Sequence, residues 1–142
     1  MNGTIPSRFT CDGLGNSPEL VFSNLPEDTK SLALTMEDPD TKRLGLGGVW
    51  DHWVLWNISP CGTRITEGAV PSGVVGENTA GQSTYFGPCP PRGGDEHHYV
   101  FTLYAVDSEI SLAEGSTKKE LLQKLSGHVI ERAQLIGRYR RA

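Results

Sequence analysis

The sequence predicts one loop-rich, mainly β domain spanning residues 1–142, and three observations carry that expectation. Seventeen glycines and nine prolines make about 18% of the 142 residues turn-formers, against a usual ~12%, which excludes a helical bundle or a coiled coil. Large apolar residues fall at every second position in the segment 31–36, the period of a strand with one face on the core, and residues 98–106 carry apolar side chains on both alternating faces, as in a strand covered on both sides. With 37% hydrophobic and 21% charged residues, a chain of this length has material for one core, and no linker or repeat divides it.

Taken in order, Thr10 to Pro18 is rich in Gly, Asn and Asp and reads as loop. Leu20-Val21-Phe22 is a short apolar run, closed by the polar stretch Asn24 to Lys30. Ser31 to Met36 reads as a strand that stops at Glu37-Asp38-Pro39-Asp40, because proline cannot continue a ladder. His52-Trp53-Val54-Leu55-Trp56-Asn57-Ile58 is apolar on both alternating faces and reads as a central strand buried on both sides. The Gly45-Leu46-Gly47-Gly48 run before it reads as a flexible loop. Ser59 to Gly94 is dominated by turn residues, with short strands expected at Ile65 and Val74-Val75. From His98 to Val106 a strand is expected with Tyr99, Phe101, Leu103 and Ala105 on one face and Val100, Thr102, Tyr104 and Val106 on the other. Thr117-Lys118-Lys119-Glu120 has the form of a capping box, with Leu121, Leu122 and Leu125 at helical spacing until Gly127. A second short helix is expected over His128 to Ala133.

Composition narrows the function classes. Thirteen basic against 17 acidic residues give a net charge of −4, so the chain exerts no general pull on a nucleic-acid backbone. Arg138, Arg140 and Arg141 read as a solvated end. No segment approaches the ~18–20 consecutive apolar residues of a membrane helix, and Met1 to Thr10 lacks the regions of a signal peptide. Cys11, Cys61 and Cys89 are odd in number and widely spaced, so neither a disulfide framework nor a zinc ribbon is expected. That pattern fits a reducing compartment, and the expected location is cytoplasmic.

The G-x-x-x-x-G-K, G-x-G-x-x-G, G-x-S-x-G and H-E-x-x-H motifs are all missing from the sequence, which sets aside the nucleotide, nucleophile-elbow and zincin sites they mark. His97 and His98 leave opposite faces of one strand, with no third ligand at a recognisable interval, so no metal and no cofactor is expected. What remains is a group of polar residues at strand ends beside Gly/Pro loops. Asp38 and Asp40 flank Pro39, His52 opens the buried strand, and His97 and Tyr99 share a face. Singly, His52 reads as a core-edge histidine and Asp38 as a turn carboxylate. Together, and next to the stiff Gly87-Pro88-Cys89-Pro90-Pro91 loop, they suggest a site in which Gly87 would let a backbone N–H approach a ligand.

These segments carry a resemblance. Asp38-Pro39-Asp40, His52 to Ile58, Gly87 to Pro91, His97-x-Tyr99 and Leu103-Tyr104-Ala105-x-Asp107 together resemble the phosphatidylethanolamine-binding protein family, in its prokaryotic Raf kinase inhibitor-like branch. The likeness runs from Ile5-Pro6 and Thr10-Cys11-Asp12-Gly13 to Gly137-Arg138-Tyr139-x-Arg141. It implies a β-sandwich with a small anion pocket at one end, built from Asp38, His52, Gly87, Pro91, His97 and Tyr99, with Asp40 and Cys89 as secondary candidates. The chain departs from the pattern at Thr41-Lys42, where Ala-Pro is common, and at His98, where Arg is usual. A homodimer and a kinase or protease partner are further expectations from the resemblance.

Two acidic side chains would repel a phosphate unless backbone N–H groups, the Tyr99 hydroxyl and protonated imidazoles offset them. The expected function is therefore non-catalytic binding of a small anionic or phosphorylated ligand such as phosphoethanolamine. The alternative is a hydrolase or transferase using His52 or His97 as base, or Cys89 as nucleophile.

Overall fold

The computed structural model describes residues 3–42, 48–62, 64–69 and 72–142. Most of the expected glycine loop before His52, Gly45 to Gly47, lies outside these residues.

Among the described residues, eight strands form two sheets, with one α-helix. In chain order the strands are β1 (Gly3–Thr4), β2 (Leu20–Val21), β3 (Ser31–Asp38), β4 (Trp50–Ile58), β5 (Arg64–Ile65), β6 (Val74–Val75), β7 (His97–Val106) and β8 (Val129–Tyr139), and helix α1 (Lys118–Leu125) lies between the last two. Six strands form a mixed sheet in the order β1-β8-β7-β3-β4-β6, and β2 pairs with β5 in a separate two-stranded sheet. Within the larger sheet β1 runs parallel to β8, and the other pairings are antiparallel.

The three long central strands are covered on both faces, which the two-sided apolar pattern predicts for β4 and β7; the alternation in β3 leads one to expect a single buried face, but its Ser31 and Thr35 are buried as well because the strand lies in the middle of the sheet. One face carries Leu34, Met36, Trp53, Leu55, Tyr99 and Phe101 and packs against Ile65 of β5 and Phe9. The other carries Ala33, Val54, Trp56 and Val106 and packs against Leu121 and Leu125 of α1. Each fully buried large side chain here contributes about 1.5–3 kcal/mol by leaving water. The helix begins where the capping box predicts: Thr117 Oγ1 accepts from Glu120 N at 3.3 Å, and Thr117 N donates back to Glu120 Oε1 at 3.0 Å.

The second expected helix is a strand. Gly127, at φ 82°, turns the chain out of α1 in a conformation that favours glycine. Val129 onward then pairs with β7 almost residue for residue, with Phe101 opposite Leu135 and Leu103 opposite Ala133. Glu131, Arg132 and Gln134 put polar side chains on both faces and hide the alternation, because this half of β8 is exposed. A left-handed residue also sits inside β4: Asn57, at φ 54°, marks a register shift against β3. Its side chain clamps Ile110, accepting from Ile110 N at 2.7 Å and donating to Ile110 O at 2.9 Å.

Cys11 and Cys89 form a disulfide, and Cys61 is the free, exposed thiol. Counting intervals could not predict this pair, since 78 positions separate the partners and the fold alone aligns them. Cys11 N donates to Pro88 O at 3.1 Å. Nor is the C-terminal arginine cluster simply solvated. The side chain of Arg141 is 15% exposed and pairs with Asp12 at 3.0 Å, and Tyr139 OH donates to the same carboxylate at 2.6 Å.

Candidate functional site

The sheet order explains why the predicted residues meet. β3 lies between β4 and β7 and runs antiparallel to both, so its C-terminal end falls beside the N-terminal ends of its two neighbours. Asp38 is the last residue of β3, His52 is third in β4, and His97 is first in β7. All three, with Tyr99, are buried.

Asp38 organises the cluster. Its Oδ2 accepts from His97 Nδ1 at 2.6 Å, and its Oδ1 accepts from the Asp40 backbone N–H at 2.8 Å, closing the turn after Pro39. His52 Nδ1 donates to Phe86 O at 2.6 Å, and Phe86 N returns a bond to His52 O at 3.0 Å. A carboxylate and a carbonyl can only accept, so both Nδ1 atoms carry protons. In each ring these bonds occupy Nδ1 and not Nε2, which is an acceptor when the ring is neutral and a donor when it is charged. The Tyr99 ring packs between them, 5.2 Å from the His52 centroid and edge-on, and 6.4 Å from that of His97 and stacked.

Burial sets the electrostatics. It pushes His52 below the ordinary imidazole range, against the partial opposition of the Phe86 carbonyl and of Asp38 and Asp51. Burial first, then the negative charges of Asp38 and Asp40, pushes the Tyr99 hydroxyl upward, so it stays a neutral donor. At the rim, Asp40 Oδ2 accepts from both the backbone N and Nδ1 of His98, at 2.7 and 3.0 Å. His98 thus has a definite place where the resemblance leads one to expect Arg. Thr41 has one too, because its hydroxyl reaches the carbonyls of Asp38 and Gly48 at 3.1 and 2.5 Å.

The remaining candidates behave differently. Gly87 lies beside the cluster, following Phe86. A Cβ there would stand 2.7 Å from Phe9 O and 3.1 Å from Thr10 Cα, so its lack of a side chain serves close packing against the N-terminal segment. Pro91 is exposed, its carbonyl accepting from Gly94 N at 3.2 Å. Cys89 is held in the disulfide, which removes the thiolate that a nucleophile requires.

Asp38, Asp40 and His97 bring ligand-type atoms within 4.8 Å of one another. The interval argument missed this cluster because the two acids come from a different strand end. Cavities of about 640 and 210 Å³ lie on other parts of the molecule, and neither is lined by Asp38, His52, His97 or Tyr99.

A β-rich domain of two sheets, with paired histidines and acids gathered at one end of the larger, is a class found among known proteins. The family model described as phosphatidylethanolamine-binding protein matches residues 1–140, and the chain belongs to that family. Among its relatives is a UPF0098 protein of Methanothermobacter thermautotrophicus, 46% identical over 98% of this chain and 92% of its own. A UPF0098 protein of Chlamydia trachomatis is 44% identical over 95% and 89%. The crystal structure of a C. trachomatis protein described as a homologue of phosphatidylethanolamine-binding protein superposes with a TM-score of 0.93 at 42% identity, covering 99% of this chain and 92% of that one. YbcL of Escherichia coli, described as a new member of the mammalian family, gives 0.88 at 29% identity, with coverage of 99% and 92%. Among the described residues no helix is long and apolar enough to cross a membrane.

Proposed function

We propose that this protein binds a small anionic or phosphorylated ligand, such as a phosphoamine head group, without transforming it. The observation that carries the reading is the arrangement around Tyr99: two imidazoles flank its ring, each with Nδ1 committed to a protein acceptor. Both therefore offer Nε2 to a ligand, beside a hydroxyl that burial keeps protonated. Protonated Nε2–H groups and the hydroxyl would donate to anionic oxygens, while Asp38 and Asp40 would receive an ammonium group. Family membership supports a ligand-binding role at this level.

Capture of Cys89 in the disulfide favours binding over the nucleophilic alternative. Since burial lowers the His52 pKa, the gain in anion affinity that its protonation supplies belongs below the ordinary ~6.5. The test is an NMR titration of labelled protein with phosphoethanolamine at pH 5.5 and 7.5. Shifts at the His52 and His97 rings and at the Gly87 and Tyr99 amides, larger at the lower pH and lost in His52→Ala, support the reading. Unmoved resonances at millimolar ligand and both pH values overturn it.

A further inference from the structure

The Cys11–Cys89 bridge lies three residues along the chain from Phe86, whose carbonyl holds His52 Nδ1 at 2.6 Å. Both cysteines are exposed, although Thr10, Pro88 and Pro90 beside them are buried. Exchange begins with a thiolate reaching a bridge sulfur, so exposure favours it. Cys89 also belongs to the loop Gly87 to Pro91, three of whose five residues are prolines with no N–H to donate.

The two sides of the bridge are held unequally. On one side Asp12 anchors the N-terminal segment to β8, accepting from Tyr139 OH at 2.6 Å and pairing with Arg141 at 3.0 Å. That segment is a fixed post. On the other side the loop meets the post through Tyr85 OH to Phe9 O at 2.8 Å, Cys11 N to Pro88 O at 3.1 Å, and the close packing of Gly87 on Phe9 and Thr10. The bridge is the covalent member of this set. Next along the chain, Phe86 exchanges two hydrogen bonds with His52, at 2.6 and 3.0 Å. Adjoining contacts therefore run from the exposed sulfurs, through the loop, to an imidazole of the candidate site.

We propose that the Cys11–Cys89 bridge is a redox-operated clasp on the candidate site. Closed, it holds the loop on its post and Phe86 O on His52 Nδ1; opened, it lets the loop draw back, and His52 is no longer confined to the Nδ1–H tautomer. Opening is exchange with a dithiol. One thiolate of the dithiol attacks a bridge sulfur and expels the other cysteine as a thiolate, and the second thiol then resolves the mixed disulfide. The protein gains two electrons and two protons as the Cys11 and Cys89 thiols, and the dithiol leaves as its own disulfide. Losing one fixed imidazole would weaken an anionic ligand about tenfold, the effect of a single hydrogen bond. That consequence rests on the binding reading above, whereas the change at the His52 ring does not.

The test is an imidazole ¹⁵N spectrum of the full-length protein in a Cys61→Ser background, taken before and after dithiothreitol, without denaturant and with both rings neutral. Expected on reduction is that His52 Nδ1 and Nε2 move toward each other as the tautomers mix, and that the change reverses on reoxidation. His97, whose Nδ1 is held by Asp38 and not by the loop, should keep its pair of signals. Gly87→Ala, whose Cβ would stand 2.7 Å from Phe9 O, pushes the loop off its post with the bridge closed and should move His52 in the same direction. Phosphoethanolamine, titrated into both redox forms at one pH, should bind the reduced form about tenfold more weakly. A His52 ring unmoved by reduction overturns the proposal, as does equal affinity of the two forms. So does a bridge that opens only in denaturant, or a reduced protein whose whole spectrum loses dispersion, since the bridge would then be a staple. Movement of His52 as expected, with phosphoethanolamine bound by neither form, upholds the clasp and overturns the binding reading instead.

Discussion

Asp38 Oδ2 lies 2.6 Å from His97 Nδ1, and each side chain is only 3% exposed. The contact joins the last residue of β3 to the first of β7 across 59 positions of sequence. It fixes the tautomer of His97, with the proton on Nδ1 when the ring is neutral. Replacing Asp38 by Asn keeps the shape but removes the charge, and should cost about 1.5–3 kcal/mol, the range for a hydrogen bond to a charged partner. Urea denaturation measures this, and a loss below about 0.5 kcal/mol would show that the pair is not holding the sheet end together.

His52 makes stability depend on pH in a defined direction. Its folded pKa lies below the unfolded value, chiefly through burial. As pH falls past about 6.5 the unfolded chain takes up the proton before the folded one does, so folding stability drops until the folded pKa is passed. Denaturation midpoints measured from pH 8 to 5 should therefore decline toward acid, and the decline should be shallower in His52→Gln. An identical profile in that variant would remove His52 from the explanation.

Reduction of Cys11–Cys89 should be costly. The bridge spans 78 positions, for which chain entropy gives a stabilisation of about 4.5 kcal/mol. Cys11→Ser with Cys89→Ser should lower the urea midpoint accordingly, without altering the Asp38–His97 bond seen in the imidazole NMR spectrum. Equal midpoints for the oxidised and serine forms would mean that the bridge adds nothing.

Asn57 separates backbone from side-chain effects. Asn57→Gly relieves the left-handed conformation but deletes both bonds to Ile110, and should cost about 1–3 kcal/mol. Asn57→Ala loses the same bonds and adds strain of roughly 1 kcal/mol. Thermal denaturation should rank wild type above Gly and Gly above Ala, and the reverse order of the two variants would refute the role given to φ.

The parts of the fold that were legible in the sequence are those where periodicity and burial agree. β3, β4 and β7 announce themselves because apolar residues fill both faces or alternate cleanly, and α1 because Thr117 and Glu120 sit three apart. β8 reads as a helix because Glu131, Arg132 and Gln134 put polar side chains on both faces, a consequence of exposure that no local pattern distinguishes from a helix surface. At the site, Asp38, His52, His97 and Tyr99 were found from residue type at strand ends together with the family resemblance. The pairing of Asp40 with His98, the packing role of Gly87 and the disulfide were not. Each depends on segments brought together across dozens of residues, and spacing along the chain carries no information about that.

The position of Asp38 between two antiparallel neighbours has a kinetic side. A ligand held by residues of β3, β4 and β7 at once can bind only after all three strands have found their register, and a slip of one residue between β3 and β7 would turn His97 to the opposite face of the sheet. Such a ligand would therefore slow the parting of the central strands and raise the apparent stability with its concentration. With such a ligand bound, the candidate site would double as a seal on correct strand registration.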